Sequence, residues 1–310
     1  KREVSLIMLL TTAESILQLI ALILAGALAY RLKLIKRESL DSLNAILMHM
    51  GLPAVLLRSF QSDLLFNGKE MLIPTLGISV LLQLMSLLLA FVFVRKNPNA
   101  NIERASIAFT NNAFIGIPLL SSIFGDIGAF YASTFNAISS LVFFSVLPAM
   151  ISGSFSAKDC IRKTLNDKVI ICIISIILLF ADIRIPECIM TPVGWLADMT
   201  TPLATIIIGC IIAYSDFSHM FSLRVIWITF LRMFIVPALI CVPLALMLDG
   251  REALLSFAVL ASTPTGSLVT IYTEEAGGNT SLSSGIFLLT TILSAVSIPM
   301  IVYAVTAIAL

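Results

Sequence analysis

The chain has 310 residues, of which 59% are hydrophobic and 12% are charged, and its formal net charge at pH 7 is +1. About a quarter of the residues in soluble domains are charged, so soluble domains of this composition would lack the polar surface that keeps a protein in solution. The mean hydropathy of +1.04 supports the same conclusion. A chain with so little charge is also unsuited to electrostatic binding of nucleic acid. These values predict an integral membrane protein whose surroundings are a lipid bilayer.

Ten runs without lysine, arginine, aspartate or glutamate mark the predicted membrane spans. They cover residues 15–30, 42–57, 71–94, 105–125, 127–157, 169–181, 199–215, 233–248, 253–273 and 276–310. The shorter runs need their flanks, so the seventh span is expected to begin near Ile189 and the eighth near Val225. Open strands cannot cross lipid, because their backbone groups would stay unpaired. We therefore predict an all-helical membrane protein with ten spans.

The basic residues are unevenly distributed between the two sides of these spans. The odd-numbered loops carry twelve of the 19 lysines and arginines, the even-numbered loops and the tails carry six, and Arg232 lies within the eighth span. Loops rich in lysine and arginine face the cytoplasm. We therefore expect a multi-pass protein of the plasma membrane with both termini outside the cell.

Cysteine and histidine give no sign of a metal centre or a disulfide framework. The five cysteines contain no CxxC pair, and His49 and His219 are far apart in the sequence. Zinc sites require closely spaced ligand pairs, and a disulfide framework favours an even number of cysteines. We expect no metal and no cofactor.

Three helix-breaking landmarks recur at nearly the same spacing in the two halves of the chain. The pairs are Pro53 and Pro202, Gly116 and Gly266, and Pro148 and Pro299, which are 149, 150 and 151 residues apart. Each half contains five spans, and an odd number turns the second half upside down relative to the first. The pattern predicts two inverted repeats, 1–151 and 169–310, joined by a cytoplasmic linker, 152–168. Such repeats are typical of secondary transporters that work by alternating access.

Two spans carry strong helix-breaking signals in the middle of an apolar run. The fourth span contains TNNAFIGIP from Thr110 to Pro118, and the ninth contains ASTPTGS from Ala261 to Ser267. Proline removes a backbone donor, and glycine tolerates an unwound backbone. Freed backbone groups in lipid are costly unless they line a polar cavity. We predict that the two breaks meet and that the helix N-termini beside them form a site for an anion.

The polar side chains at these breaks are the candidate substrate ligands, and the helix breakers shape the site. The candidates for substrate binding are Asn111, Asn112, Thr263 and Thr265, with Asn136 in the fifth span and Asp198 in the seventh; the shaping residues are Gly116, Pro118, Pro264 and Gly266. The alternative is that the prolines merely kink two packed helices and that Asp198 only bonds backbone groups near a water-filled vestibule.

The remaining ionisable residues leave the coupling ion open. Asp198 and His49 can titrate during proton coupling. Sodium coupling also stays open, although the break in the ninth span has no carboxylate. Arg232, within an apolar stretch of the eighth span, either balances an anionic substrate or extends its long side chain to the membrane interface.

Several motifs resemble those of the auxin efflux carrier family, in the family's order and over nearly the whole chain. They are FIGIPL at 114–119 after Asn111 and Asn112, ASTPTGS at 261–267, GLP at 51–53, GGN at 277–279 and SIP at 297–299. The resemblance implies ten helices in two inverted repeats, with spans 1, 2, 6 and 7 as a scaffold. Spans 3–5 and 8–10 would form a moving transport domain, in which crossed spans 4 and 9 hold the substrate.

The resemblance also bears on the substrate. Bacterial members of this kind are permeases for malonate, malate or related organic anions. In the plant auxin carriers a proline precedes the asparagine at the first crossing, whereas Thr110 precedes Asn111 here, and the long cytoplasmic loop of the plant carriers is absent. A small carboxylate is therefore expected rather than auxin.

We expect a secondary transporter of a small organic anion that binds where the fourth and ninth spans cross. The main alternative is a receptor or sensor of transporter fold that binds a small ligand without net transport, although no signalling domain is recognisable in the sequence. A channel is a further alternative. An intramembrane enzyme is not expected, because Asp198 alone among the acids lies deep in a predicted span and an aspartyl dyad is missing. The sequence leaves a homodimer open.

Overall fold

The computed structural model describes residues 2–152, 167–214, 222–248 and 250–309. Within these ranges the chain is built from helices joined by short turns, so the prediction of an all-helical protein is confirmed for the part of the chain described. Most of the predicted linker, 153–166, lies outside the described residues, and so does His219.

The helices of the first half contain two π-helical turns. In chain order the elements are α1 (Arg2–Arg31), α2 (Arg37–Ile46), a π-helical turn (Leu47–Gly51), α3 (Leu52–Phe60), α4 (Asp63–Asn67), α5 (Lys69–Phe93), α6 (Ala100–Ala108), a second π-helical turn (Asn112–Gly116) and α7 (Ile117–Ser152). The chain runs directly from α2 to α3 through the first π-helical turn, so the second predicted span is helical throughout.

The second half has one further π-helical turn. Its elements are α8 (Asp167–Phe180), α9 (Glu187–Tyr214), α10 (Leu223–Phe230), a π-helical turn (Leu231–Ile235), α11 (Val236–Met247), α12 (Arg251–Ser262), α13 (Ser267–Glu275) and α14 (Thr280–Ala309). Helices α9 and α10 begin two residues before the starts predicted for the seventh and eighth spans.

Six helical stretches in the described ranges are long and apolar enough to cross a bilayer. They are Arg37–Asn67, Met71–Phe93, Ile117–Ile151, Glu187–Tyr214, Leu223–Met247 and Thr280–Ala307, and two shorter apolar helices cover Ile16–Arg31 and Val169–Phe180. Large apolar side chains on these helices are exposed, among them Leu88 and Trp195 at 63% and 70%. A surface of this kind suits lipid rather than water. The protein is therefore a multi-pass membrane protein, and the count of ten spans in two inverted repeats stays a prediction.

Helix α7 changes direction at Gly125. This residue has φ +60° and ψ −139°, a conformation that lies outside the helical region and favours glycine. The helical stretch before Gly125 therefore corresponds to the fourth predicted span, and residues 126–152 correspond to the fifth.

Helices α1 and α9 pack closely through glycine. A Cβ atom added to Gly26 would lie 2.2 Å from the carbonyl oxygen of Ile206, and one added to Gly209 would lie 2.2 Å from the carbonyl oxygen of Ile23. Small residues permit this backbone approach, which is the usual basis of helix association in membranes. Helix α9 also packs on α3, and α3 packs on α8.

A second set of contacts surrounds the interrupted helices. Helix α7 packs on α5 and α12, and α12 also packs on α11 and α14. The packing thus brings the fourth and ninth predicted spans together. The division of the molecule into a scaffold and a moving transport domain stays a prediction.

Candidate functional site

The two predicted helix breaks are present, and they lie against each other. Residues 109–111 between α6 and the π-helical turn are not helical, and neither are residues 263–266 between α12 and α13. Thr110 and Thr265 pair across them in an antiparallel bridge. We call residues 109–116 and 263–266 together the paired breaks.

The paired breaks satisfy each other's backbone groups. The amide of Asn111 donates to the carbonyl oxygen of Pro264 at 2.8 Å, and the amide of Gly266 donates to the carbonyl oxygen of Phe109 at 3.0 Å. Glycine suits this approach, because a Cβ atom on Gly266 would lie only 3.3 Å from the carbonyl oxygen of Thr110. Four of the backbone groups freed by unwinding are therefore bonded within the protein.

Side chains add a second set of links inside the paired breaks. The hydroxyl of Thr263 donates to Oδ1 of Asn112 at 2.8 Å, and the hydroxyl of Thr265 donates to the carbonyl oxygen of Ser106 at 2.8 Å. Nδ2 of Asn112 donates to the hydroxyl oxygen of Thr110. Both ends of the Asn112 amide are thus used within the protein.

A small cavity of about 100 Å³, which we call the break cavity, lies beside the paired breaks. Its lining combines polar and apolar side chains, both at the breaks and on the helices opposite them. It consists of Thr110, Asn111, Asn112, Ala113, Gly266, Ser267 and Leu268 from the breaks and their flanks, Asn136, Ser139, Ser140, Phe143 and Phe144 from α7, Leu52 and Val55 from α3, and Thr200, Thr201 and Ala204 from α9. A volume of this size suits a small ligand.

Asn111 lines the break cavity and carries a buried amide nitrogen without a partner in the described part of the chain. Its side chain is 9% exposed, and its Nδ2 atom has no hydrogen-bond partner among the described residues. A buried donor without a partner costs about 1–3 kcal/mol, and a ligand acceptor in the cavity would remove that cost. Asn136 lines the same cavity with a second amide.

Two helical segments begin at the break cavity, one at Asn112 and one at Ser267. The N-terminal end of a helix carries a partial positive charge and free amide groups. No lysine, arginine, aspartate or glutamate is among the described residues that line the cavity. The lining itself can therefore attract an anion through dipoles and neutral donors.

A larger vestibule of about 620 Å³ adjoins the break cavity. The two share Val55, Ala113, Asn136 and Thr201 in their linings. The vestibule is also lined by Arg58, Ser59, Gln61, Ser62, Asp63, Ile117, Pro118, Ser133, Met190, Ala197, Asp198 and Pro202. Most of these residues lie in or near the even-numbered loops of the predicted spans, such as the loop between the second and third spans. The vestibule, and through it the break cavity, therefore opens towards the side of these loops.

Asp198 lies in the vestibule and is paired with Arg58. Their side chains are 67% and 50% exposed, and Arg58 also donates to the carbonyl oxygen of Gly194 at 3.3 Å. Exposed pairs of this kind contribute little to stability. The sequence suggested a deeply buried acid at this position, but the structure places it in the wide entrance rather than beside the paired breaks.

Polar contacts connect helix ends near the odd-numbered loops. Tyr214, at the far end of α9, donates to Oε1 of Glu274 at 2.5 Å, close to the end of α13. Arg224 forms two hydrogen bonds to the carboxylate of Glu103, of 2.6 and 2.5 Å, and the Glu103 side chain is 1% exposed. These contacts lie at the ends of helices that reach the odd-numbered loops.

The sequence-predicted residues occupy three places in the structure. The break cavity is lined by Asn111, Asn112, Gly266 and Asn136. The vestibule is lined by Asn136 as well, together with Pro118 and Asp198. Neither space is lined by the other four residues of the paired breaks, Thr263, Pro264, Thr265 and Gly116. Thr263 and Thr265 are fully buried.

Other lining residues were not singled out from the sequence. Ser139 and Ser140 follow Asn136 by three and four positions, a spacing that places side chains on one helix face. Thr200 and Thr201 directly precede the repeated proline Pro202. The helical spacing after Asn136 and the position before a repeated proline could have identified these residues from the sequence.

The described ranges contain no metal-binding cluster, that is, no group of three or more histidine, cysteine, aspartate or glutamate side chains that could hold a metal ion. The lining of the break cavity likewise offers amides and hydroxyls rather than the usual ligands of a transition metal.

Known proteins resemble this chain over both of its halves. The chain matches the profile of a family described as membrane transport protein over residues 11–159 and 154–302. A protein of Methanothermobacter thermautotrophicus that is named an uncharacterized transporter is 25% identical over 298 residues, which is 93% of this chain and 97% of that protein. Each of the two family matches contains one of the paired breaks, residues 109–116 in the first and residues 263–266 in the second.

The two adjacent asparagines should respond differently to substitution in the ligand-free protein. Asn112→Ala should lower the thermal unfolding midpoint by several degrees, because it removes links to Thr110 and Thr263 that contribute about 1 kcal/mol each. Asn111→Ala should leave the midpoint unchanged or raise it, because it removes an unpaired donor. Thermal unfolding of the purified proteins in detergent measures both. Equal midpoints for the two variants would contradict the division of roles.

Proposed function

Since the chain belongs to the membrane transport protein family, that of the auxin efflux carriers, we propose that it is a secondary transporter of a small organic anion, a carboxylate. The substrate binds in the break cavity, where Nδ2 of Asn111 and the amide of Asn136 donate to its carboxylate oxygens. The observation that carries this proposal is the buried and unpaired amide nitrogen of Asn111, located where two helical segments begin.

The lining of the break cavity favours an anion over a cation. Amide groups and helix N-termini supply donors and partial positive charge, and hydrogen bonds to an ionised acceptor are roughly twice as strong as neutral ones. An organic cation would meet no carboxylate among the lining residues that the structure describes. Val55, Phe143 and Phe144 offer an apolar wall for a short carbon skeleton. Malonate and malate, the substrates implied by the family resemblance, are the first candidates.

Alternating access would move one part of the cavity wall against the other. Asn111 and Gly266 belong to the fourth and ninth spans of the proposed transport domain, whereas Thr200, Thr201 and Leu52 belong to the seventh and second spans of the proposed scaffold. A relative movement of the two parts would separate Tyr214 from Glu274 and expose the cavity on the odd-loop side. With the odd loops in the cytoplasm of a plasma-membrane protein, the conformation described here faces outward.

Uptake into proteoliposomes tests the transport proposal. Wild-type protein should take up radiolabelled malonate or malate with saturation. Asn111→Ala should lower kcat/KM about ten- to hundredfold, because a hydrogen bond to a charged group contributes about 1.5–3 kcal/mol. Asn101→Ala is the matched control, since Asn101 lies on α6 and does not line the break cavity, and it should transport like the wild type.

Three results would contradict the transport proposal. Binding without net uptake would indicate a receptor, and uptake without saturation would indicate a channel. Wild-type uptake by Asn111→Ala would remove the assigned site. Repeating the measurement with and without a sodium gradient or a proton gradient identifies the coupling ion.

The contact between Tyr214 and Glu274 should control which side of the membrane reaches the cavity. In a cysteine-free background, Thr201→Cys should react with a membrane-impermeant maleimide from the vestibule side. Adding Tyr214→Phe removes the hydrogen bond to Glu274 and should increase labelling from the opposite side. Tyr303→Phe, at a residue that is 73% exposed on α14, serves as the control. Unchanged sidedness in Tyr214→Phe would contradict a closing role for this contact.

A further inference from the structure

Arg232 is a fully buried cation beside the paired breaks. Its side chain has 0% exposure and is the largest of the fully buried side chains in the described ranges. One nitrogen, Nη2, donates to the carbonyl oxygen of Thr263 at 2.6 Å, whereas Nε and Nη1 have no partner among the described residues. The side chain therefore does not extend to the membrane interface. A buried charge without an opposite charge is expensive and marks a functional position.

Under the predicted repeat, Gln83 in the first half corresponds to Arg232. It lies on α5, 149 residues before Arg232, which is the spacing of the repeated prolines Pro53 and Pro202. It is 1% exposed, and its Nε2 atom donates to the carbonyl oxygen of Ala108, the last residue of α6, at 3.1 Å.

Gln83 and Arg232 thus perform the same local task. Each donates to a carbonyl group at the C-terminal end of an interrupted helix, where the helix itself provides no donor. A neutral glutamine is sufficient for this task in the first half. The hydrogen bond to Thr263 alone therefore does not explain why this position carries a positive charge.

A short chain of contacts connects Arg232 with the break cavity. The guanidinium donates to the backbone oxygen of Thr263, whose hydroxyl donates to Asn112, and Asn112 lines the cavity. The described lining of the cavity contains no charged side chain. In a protein interior, charges act over longer distances than in water, so an anion in the cavity and the uncompensated Arg232 stabilise each other.

We propose that Arg232 is the fixed positive charge that balances the anionic substrate in the break cavity. It is a positioning residue, because it acts across Thr263 and Asn112 without lining the cavity. The inference rests on the proposed function and adds the determinant of its charge selectivity. The empty site carries one positive charge, a bound monocarboxylate makes it neutral, and a bound dicarboxylate such as malonate, with both carboxyl groups ionised, leaves it with one negative charge instead of two.

Substitution of Arg232 by glutamine and by lysine separates its charge from its hydrogen bond. Arg232→Gln reproduces the neutral donor of the first half, and Arg232→Lys keeps the charge but loses the planar guanidinium. Binding of acetate, malonate, malate and succinate to the full chain in detergent is measured by calorimetry. The dissociation constant of each acid that the wild type binds should rise at least tenfold in Arg232→Gln and stay within threefold in Arg232→Lys. A purely structural role predicts that both variants lose binding equally.

The results of these binding measurements distinguish failure of the inference from failure of the proposed function. Wild-type affinity in Arg232→Gln would overturn the inference and leave the proposed function intact. Wild-type protein that binds none of the four acids would overturn the proposed function and with it the inference. If Arg232→Gln does not fold, Arg232→Lys still decides, because loss of binding in a folded lysine variant contradicts a role for charge.

Discussion

An unwound backbone inside a membrane has no water to bind, so the residues of two interrupted helices must satisfy each other. In this protein the amide of Asn111 bonds to Pro264, and the amide of Gly266 bonds to Phe109. These two bonds fix the fourth and ninth predicted spans at their points of interruption. The break cavity, the free amide of Asn111 and the position of Arg232 all depend on this pairing.

The pairing also determines the chemistry that the cavity can offer. Because the breaks use one another's backbone groups and the side chains of Asn112, Thr263 and Thr265, few polar atoms of the breaks themselves remain for a ligand. The groups that remain at the cavity are the Asn111 amide nitrogen, the Asn136 amide, the starts of two helical segments and the hydroxyls of lining residues such as Ser139, Ser140 and Thr201. All of them can donate to an acceptor with negative charge, and the low polarity of the surroundings strengthens each contact.

The sequence predicts the breaks well because proline and glycine act locally. Gly116, Pro118, Pro264 and Gly266 interrupt apolar runs, and the structure has unwound or π-helical backbone within two residues of each. Helix type and most helix ends follow in the same way from composition and from the positions of charged residues.

Other features depend on contacts between distant parts of the chain and could not be predicted. Asn111 and Asn112 are identical in type and adjacent, but Asn112 bonds to Thr110 and Thr263, whereas the amide nitrogen of Asn111 has no partner among the described residues. Asp198 looks like a buried acid in the sequence, but its partner Arg58 is 140 positions away and holds it in an open vestibule. The burial of Arg232 likewise results from packing among several helices.

The central claim is that the paired breaks hold the substrate carboxylate. A cryo-electron microscopy structure of the full chain with whichever of malonate and malate is transported tests it most directly. The account predicts density for the acid in the break cavity, with a carboxylate oxygen about 3 Å from Nδ2 of Asn111. Density for the acid in the vestibule alone, or at a site without Asn111, would contradict it.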